Sequence, residues 1–221
     1  MISQNLNKVK STLSEGVKLV AVSKYHPIDD LRQAYDAGQR IFGESHVQEL
    51  VAKYDALPKD IEWHFIGHLQ TNKVKYIAPF ISLIHSVDTL KLLHEIDKQA
   101  HKTGRIIDCL LQMHIAQEET KFGFTPVELI KMLEVGEWKT LANVRIVGLM
   151  CMATNTEDES QIRGEFKFAH ETFESVKQRF FADEPSFKEL SMGMSGDYLI
   201  AQEEHSTMVR VGSMIFGARN Y

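Results

Sequence analysis

Eight short apolar runs recur along the chain, each separated from the next by a longer amphipathic or polar stretch, and this alternation restricts the fold more than any other feature. The runs are KLVAVS at 18–23, RIFG at 40–43, WHFIG at 63–67, ISLIHS at 81–86, RIIDCLLQMHI at 105–115, VRIVGLM at 144–150, FKELSMG at 187–193 and TMVRVG at 207–212. Runs of this length, rich in Val, Ile and Phe, read as strands buried on both faces. Helical periodicity is expected between them near 28–37, 46–56, 72–79, 89–102, 126–135, 159–180 and 197–204. Pro27 and Pro126 suit helix starts, and Asp88 is expected to cap the helix carrying Leu92, Leu93 and Ile96.

Each strand with its helix has the length of one βα unit, and right-handed crossovers make such units parallel. Eight units close economically into a (β/α)8 TIM barrel, expected here as a single domain over residues 1–221. An open doubly wound sheet would use the same alternation with a reversal of strand order. The 221 residues fall short of the roughly 250 typical of the barrel, so loops and helices must be compact. DEPS at 183–186 reads as a turn rather than a linker.

The charge balance narrows the function classes. With 25 Lys and Arg against 30 Asp and Glu, the formal net charge is -5, which gives no bulk support for binding nucleic acid. No run approaches 20 uninterrupted apolar residues and the first 16 residues lack an apolar stretch after their lysines, so neither a membrane span nor a secretion signal is expected. Cys109 and Cys151 have no CxxC neighbour and fit a reducing cytoplasm.

Lys24 is the most informative single residue. KLVAVSKYHP sets a lysine just beyond an apolar strand and ahead of a proline-started helix, at the carboxyl end where barrel sites form. An amine in a partly dry pocket loses its proton more readily and can then form an imine with an aldehyde. The other reading is a lysine that snorkels from a strand end. In the tail, Ser191 to Gly196 and Gly212 to Ser213 are small-residue clusters either side of a short helix and strand. Backbone N–H groups there could approach a phosphate, with hydroxyls from Ser195 and Ser213 and a fixed cation at Arg210. Glycine turns that merely join barrel elements would look the same.

GHLQTNK at 67–73 puts His68, Gln70 and Asn72 at a strand exit, where they could orient a ligand or where Thr71 or Asn72 could cap a helix. FGESHVQEL at 42–50 is a similar exit, with Ser45 as N-cap or pocket donor and Glu44 and His46 as further polar candidates. The ten histidines are scattered, and His64 with His68 lacks the glutamate of a zinc protease, so metal binding is not expected. Ser195 has no GxSxG elbow, which disfavours hydrolysis. Phe166, Phe168, Phe173, Phe180 and Phe181 read as helix packing, and Met150, Met152, Met192 and Met194 as core filling or pocket lining.

Taken together and in this order, VSKYHP, FGES with VQE across Ser45 and Gln48, HFIGHLQTNK, GLM, SMGMS and STMVRVGSMIFGAR resemble the pyridoxal phosphate homeostasis protein family over almost the whole chain. The resemblance implies a single-domain barrel related to the amino-terminal domain of alanine racemase, with pyridoxal 5'-phosphate (PLP) held as an imine on Lys24. It further implies Arg210 near the pyridine nitrogen, Ser195, Gly212 and Ser213 on the phosphate side, and Asn72 at a pocket position. The family's usual FGEN is FGES here, and GLMCMA replaces GLM-x-I-P.

An arginine beside the ring nitrogen resists its protonation and weakens the electron sink. A racemase also needs an acid or base on the opposite face, which racemases of the resembled fold draw from a second domain. The resemblance therefore implies a monomeric cytoplasmic reservoir or carrier that supplies PLP, with PLP-dependent apoenzymes as recipients and an effect on amino-acid and keto-acid balance, rather than an enzyme. A narrow racemase or lyase using Lys24, and a regulatory barrel presenting a partner surface, are the alternatives.

Overall fold

The computed structural model describes residues 1–118 and 122–218. Eight parallel strands close into one barrel in sequence order: β1 (Lys18–Val22), β2 (Ile41–Glu44), β3 (Glu62–Phe65), β4 (Leu83–Val87), β5 (Ile107–Gln112), β6 (Val144–Met150), β7 (Glu189–Ser191) and β8 (Met208–Val211). The seam is the β1–β8 pairing, in which Lys18 faces Met208 and Val20 faces Arg210. Consecutive pairing without reversal excludes the doubly wound sheet and establishes the (β/α)8 fold.

The helices are α1 (Ile2–Lys10), α2 (Ile28–Asp36), α3 (Val47–Ala56), α4 (Val74–Ile77), α5 (Leu90–Lys102), α6 (Pro126–Val135), α7 (Glu159–Phe180), α8 (Tyr198–Glu203) and α9 (Ser213–Phe216). Local chemistry explains the best defined. Pro126 opens α6 behind a capping box in which Thr125 and Glu128 satisfy each other's backbone N–H groups, and Gly136 closes it at a φ of 75°. Asp158 caps the 22-residue α7 through the N–H groups of Ser160 and Gln161.

Three expectations need correction. Asp88 does not cap α5: Thr89 Oγ1 accepts from the Leu92 N–H at 3.2 Å, while the Asp88 carboxylate is drawn to His68 at 3.0 Å. The helix expected over 72–79 is a 3-10 turn, Thr71–Lys73, followed by α4, with Gln70 rather than Thr71 or Asn72 at the cap position. Ser45 is likewise not a cap, because His46 occupies that position of α3. Helix α1, unanticipated, buries Ile2, Leu6 and Val9 at helical spacing.

The core has two layers. A large one lies between strands and helices and includes Phe166, Phe173 and Phe181, whereas Phe168 is exposed. A small one fills the barrel interior: Val20, Leu83, Leu110, Val147, Met150 and Met208. Paired residues of parallel strands share a face, so register tells what else points inward. His64 pairs with Leu83, Ser191 with Met150 and Met208, and Arg210 with Val20. Polar side chains therefore occupy part of the barrel's inner wall. Among the described residues, no helix is long and apolar enough to cross a membrane.

Candidate functional site

A cavity of about 270 Å³ opens at the carboxyl-terminal mouth of the barrel, at the lower end of small-molecule pockets. It is lined by Lys24, Ser45, Ser195, Gly196, Arg210, Gly212 and Ser213, with an apolar wall of Val22, Ile66, Met152 and Met194. Lys24, Ser195, Arg210, Gly212 and Ser213 are thus brought together. Asn72 is exposed on its 3-10 turn and outside this lining. His68 also lies outside it, paired with Asp88 and stacked on Phe122 at 3.9 Å between centroids. Met152 and Met194 reach the cavity; Met150 and Met192 are buried in the core. The end of the GSMIFGAR motif, Arg219, lies outside the described residues.

The backbone carrying Lys24 is held from both sides. Lys53, buried on α3, donates to the Ser23 carbonyl, to Glu44 Oε1 and to Glu49 Oε1, each at 2.7 Å. Glu44 Oε1 also accepts from Ser23 Oγ at 2.6 Å, and Glu49 Oε1 from the Tyr25 N–H at 2.6 Å. Tyr25 sits at a φ of 67°, a left-handed conformation that a tyrosine adopts only where its surroundings fix it. Burial pushes the Glu44 carboxyl up to about 7, against the pull of Lys53 and the Ser23 hydroxyl. Sequence reading singled out Glu44 but missed Lys53 and Glu49, whose i,i+4 spacing on α3 was the available signal.

The tail loops are shaped by glycine. Gly193 has a φ of 95°, and a Cβ there would lie 2.6 Å from the Ala201 Cβ, so only glycine lets the loop after β7 fold onto α8. Ser195 Oγ then accepts from the Gly212 N–H at 3.2 Å, tying the loops after β7 and β8 together. On the other wall, a Cβ on Gly67 would meet the Ser45 carbonyl at 2.5 Å, and its absence lets Ser45 approach.

Arg210 is 4% exposed, and its hydrogen bonds go to neutral oxygens: NH1 donates to Ser191 Oγ at 2.7 Å and NH2 to the Cys151 carbonyl at 3.0 Å. Among the described residues no carboxylate hydrogen-bonds it. Burial lowers its pKa below the usual guanidinium value, with the Cys151 thiol and Asp197 pulling the other way. The Cys151 thiol itself is pushed up to about 12 by burial and is no nucleophile. A buried cation facing a cavity beside an amine and three serine hydroxyls fits an anionic ligand that bears a carbonyl.

Another cavity, about 420 Å³ at the opposite end of the barrel, is lined by Lys18–Glu189 and Arg145–Asp108 ion pairs that satisfy one another. Among the described residues, no group of three or more His, Cys, Asp or Glu is placed to hold a metal ion.

The model of the alanine racemase N-terminal domain family matches residues 1–220, which defines the class of barrel. The pyridoxal phosphate homeostasis protein of Aquifex aeolicus is 40% identical over 205 residues, covering 92% of this chain and 88% of that protein. The Vibrio alginolyticus protein of the same name is 36% identical over 100% of this chain and 98% of its own. The chain belongs to the pyridoxal phosphate homeostasis protein family. Among solved structures, PipY of Synechococcus elongatus with PLP bound is 36% identical, with a TM-score of 0.88 over 98% of this chain and 100% of that one. Alanine racemase of Clostridium difficile shares the fold, at 14% identity and a TM-score of 0.77 over 100% of this chain and 57% of that one.

Proposed function

We propose that this chain, as one domain over residues 1–221, binds PLP at the barrel mouth and serves as an intracellular reservoir or carrier of it. The observation that carries the reading is the meeting of Lys24, Arg210, Ser195 and Ser213 around one cavity. Lys24 would hold the cofactor through its amine, Arg210 would face the ring nitrogen, and Ser195, Gly212 and Ser213 would take the phosphate. Asn72 would contribute only from the rim. When bound, the group supplies an aldehyde and an electron-withdrawing ring.

Holding without turnover follows from the residues around it. An always-charged guanidinium donates to a ring nitrogen and does not protonate it. Among the described residues lining the cavity, Lys24 and Arg210 are the only ionisable side chains, so a second acid or base for racemisation has no source there. The relatives' shared name and the PLP-bound PipY support the same reading. In this account the protein acts in the cytoplasm as a monomer, passes PLP to PLP-dependent apoenzymes, and thereby affects amino-acid and keto-acid balance.

The test is the visible absorbance of the protein after PLP is added, for the natural chain and for Lys24→Ala, with amino acids then supplied in excess. A band present only with Lys24, and no steady conversion of any amino acid, supports the carrier. Steady turnover that disappears with Lys24→Ala would make the protein a racemase or lyase instead.

A further inference from the structure

Behind Arg210, a line of buried polar groups crosses the barrel interior. Arg210 NH1 donates to Ser191 Oγ at 2.7 Å, Ser191 Oγ lies 3.0 Å from His85 Nδ1, and His85 Nε2 lies 3.0 Å from His64 Nδ1. All four residues are buried, and His64 lines the cavity at the far end of the barrel. They come from β8, β7, β4 and β3; the register places Arg210, Ser191 and His64 on the inner wall, and His85 shares the face of Leu83 two residues before it.

The chemistry of the end group gives the line a direction. A guanidinium has no acceptor, so the Ser191 oxygen must accept from Arg210. The single Ser191 hydrogen then has His85 Nδ1 as its remaining hydrogen-bonded neighbour. His85 must in turn carry its hydrogen on Nε2 and donate it to His64 Nδ1, which leaves the His64 hydrogen on Nε2. The reverse order would have His85 donate to Ser191 and strand the serine hydrogen in the barrel core, at the cost of a buried unsatisfied group. Both imidazoles are neutral, as the scheme needs. Burial, with the charge of Lys18, pushes His64 down to about 3, and burial, with His64 and Arg210, holds His85 well below the usual histidine range. His64 Nε2 has no hydrogen bond to another described residue, so the line ends at the far cavity.

We propose that Arg210, Ser191, His85 and His64 form a one-directional hydrogen-bond chain that fixes both histidine tautomers and makes Ser191 and His85 positioning residues for the guanidinium. The inner edge of Arg210 is held by Ser191 and the Cys151 carbonyl, so its remaining N–H groups keep a fixed aim at the cavity. The role toward a ligand rests on the PLP reading above; the direction of the chain does not.

Nitrogen-15 NMR of the imidazoles in the protein without added PLP tests the direction. The expected result is both histidines neutral with hydrogen on Nε2, and a shift of the His85 Nδ1 resonance in Ser191→Ala as its donor is removed. Hydrogen on His85 Nδ1, or no response to Ser191→Ala, would overturn the chain. PLP titration of folded Ser191→Ala and Ser191→Thr tests the positioning. The alanine variant should bind about tenfold more weakly with a displaced visible band, as the loss of one hydrogen bond to a charged group implies, and the threonine variant should restore both. Equal affinity and an unmoved band in Ser191→Ala would overturn the positioning role. Failure of the natural chain to take up PLP, with the expected histidine spectrum, would refute the cofactor reading while upholding the chain.

Discussion

Replacing Glu44 by glutamine should remove a pH dependence that one buried carboxyl imposes on the whole fold. Glu44 is buried at the end of β2, and its folded pKa stands at about 7 against an ordinary value of 4.5. Between those values the folded protein holds a proton on Glu44 that the unfolded chain has released. Stability from this group is therefore complete below the unfolded pKa and falls as pH rises toward the folded one, levelling above it. Two and a half pH units at about 1.4 kcal/mol each amount to about 3 kcal/mol. Glutamine keeps an acceptor for Ser23 Oγ and Lys53 and cannot titrate. Urea unfolding of both proteins from pH 4.5 to 8 gives the difference in stability directly. The natural chain should lose about 3 kcal/mol relative to Glu44→Gln across that range. A difference that does not change with pH, or one that grows in favour of the natural chain as pH rises, would show that Glu44 does not carry a raised pKa in the folded protein.

Capping of α5 by Thr89 rather than its neighbour is tested by paired substitutions: Thr89→Ala should cost about 1 kcal/mol in urea unfolding, and Asp88→Ala, which breaks only a partly exposed contact with His68, should cost less. Gly193→Ala should destabilise by about 2 kcal/mol, since it adds a left-handed strain to an overpacked contact with Ala201. The same variant should bind PLP more weakly, because the loop that carries Ser195 has to shift; a thermal melt and a PLP titration matching the natural chain would count against that view of the loop.

The barrel was legible because its signal is repeated. Each of the eight apolar runs became a strand, and α6 and α7 match their expected bounds, where Pro126 and a long periodic stretch mark them. Helix α1 was passed over although Ile2, Leu6 and Val9 carry the right spacing, because the segment between them is polar. At the site, a strand-end position pointed to Lys24 and small-residue clusters to Ser195, Gly212 and Ser213 with Arg210 as the nearest cation, whereas their meeting around one pocket was implied by the family resemblance. Lys53, Ser191, His85 and His64 were not legible as partners. When both faces of a strand are buried, sequence does not tell which residues point into the barrel, and His85 meets Ser191 across 106 positions of chain.

Loading the protein with PLP, reducing it with borohydride and identifying the modified peptide by mass shows which residue holds the cofactor. A single label is expected, on Lys24. A label on Lys53, Lys18 or any other lysine in its place, or none at all, would contradict that role for Lys24.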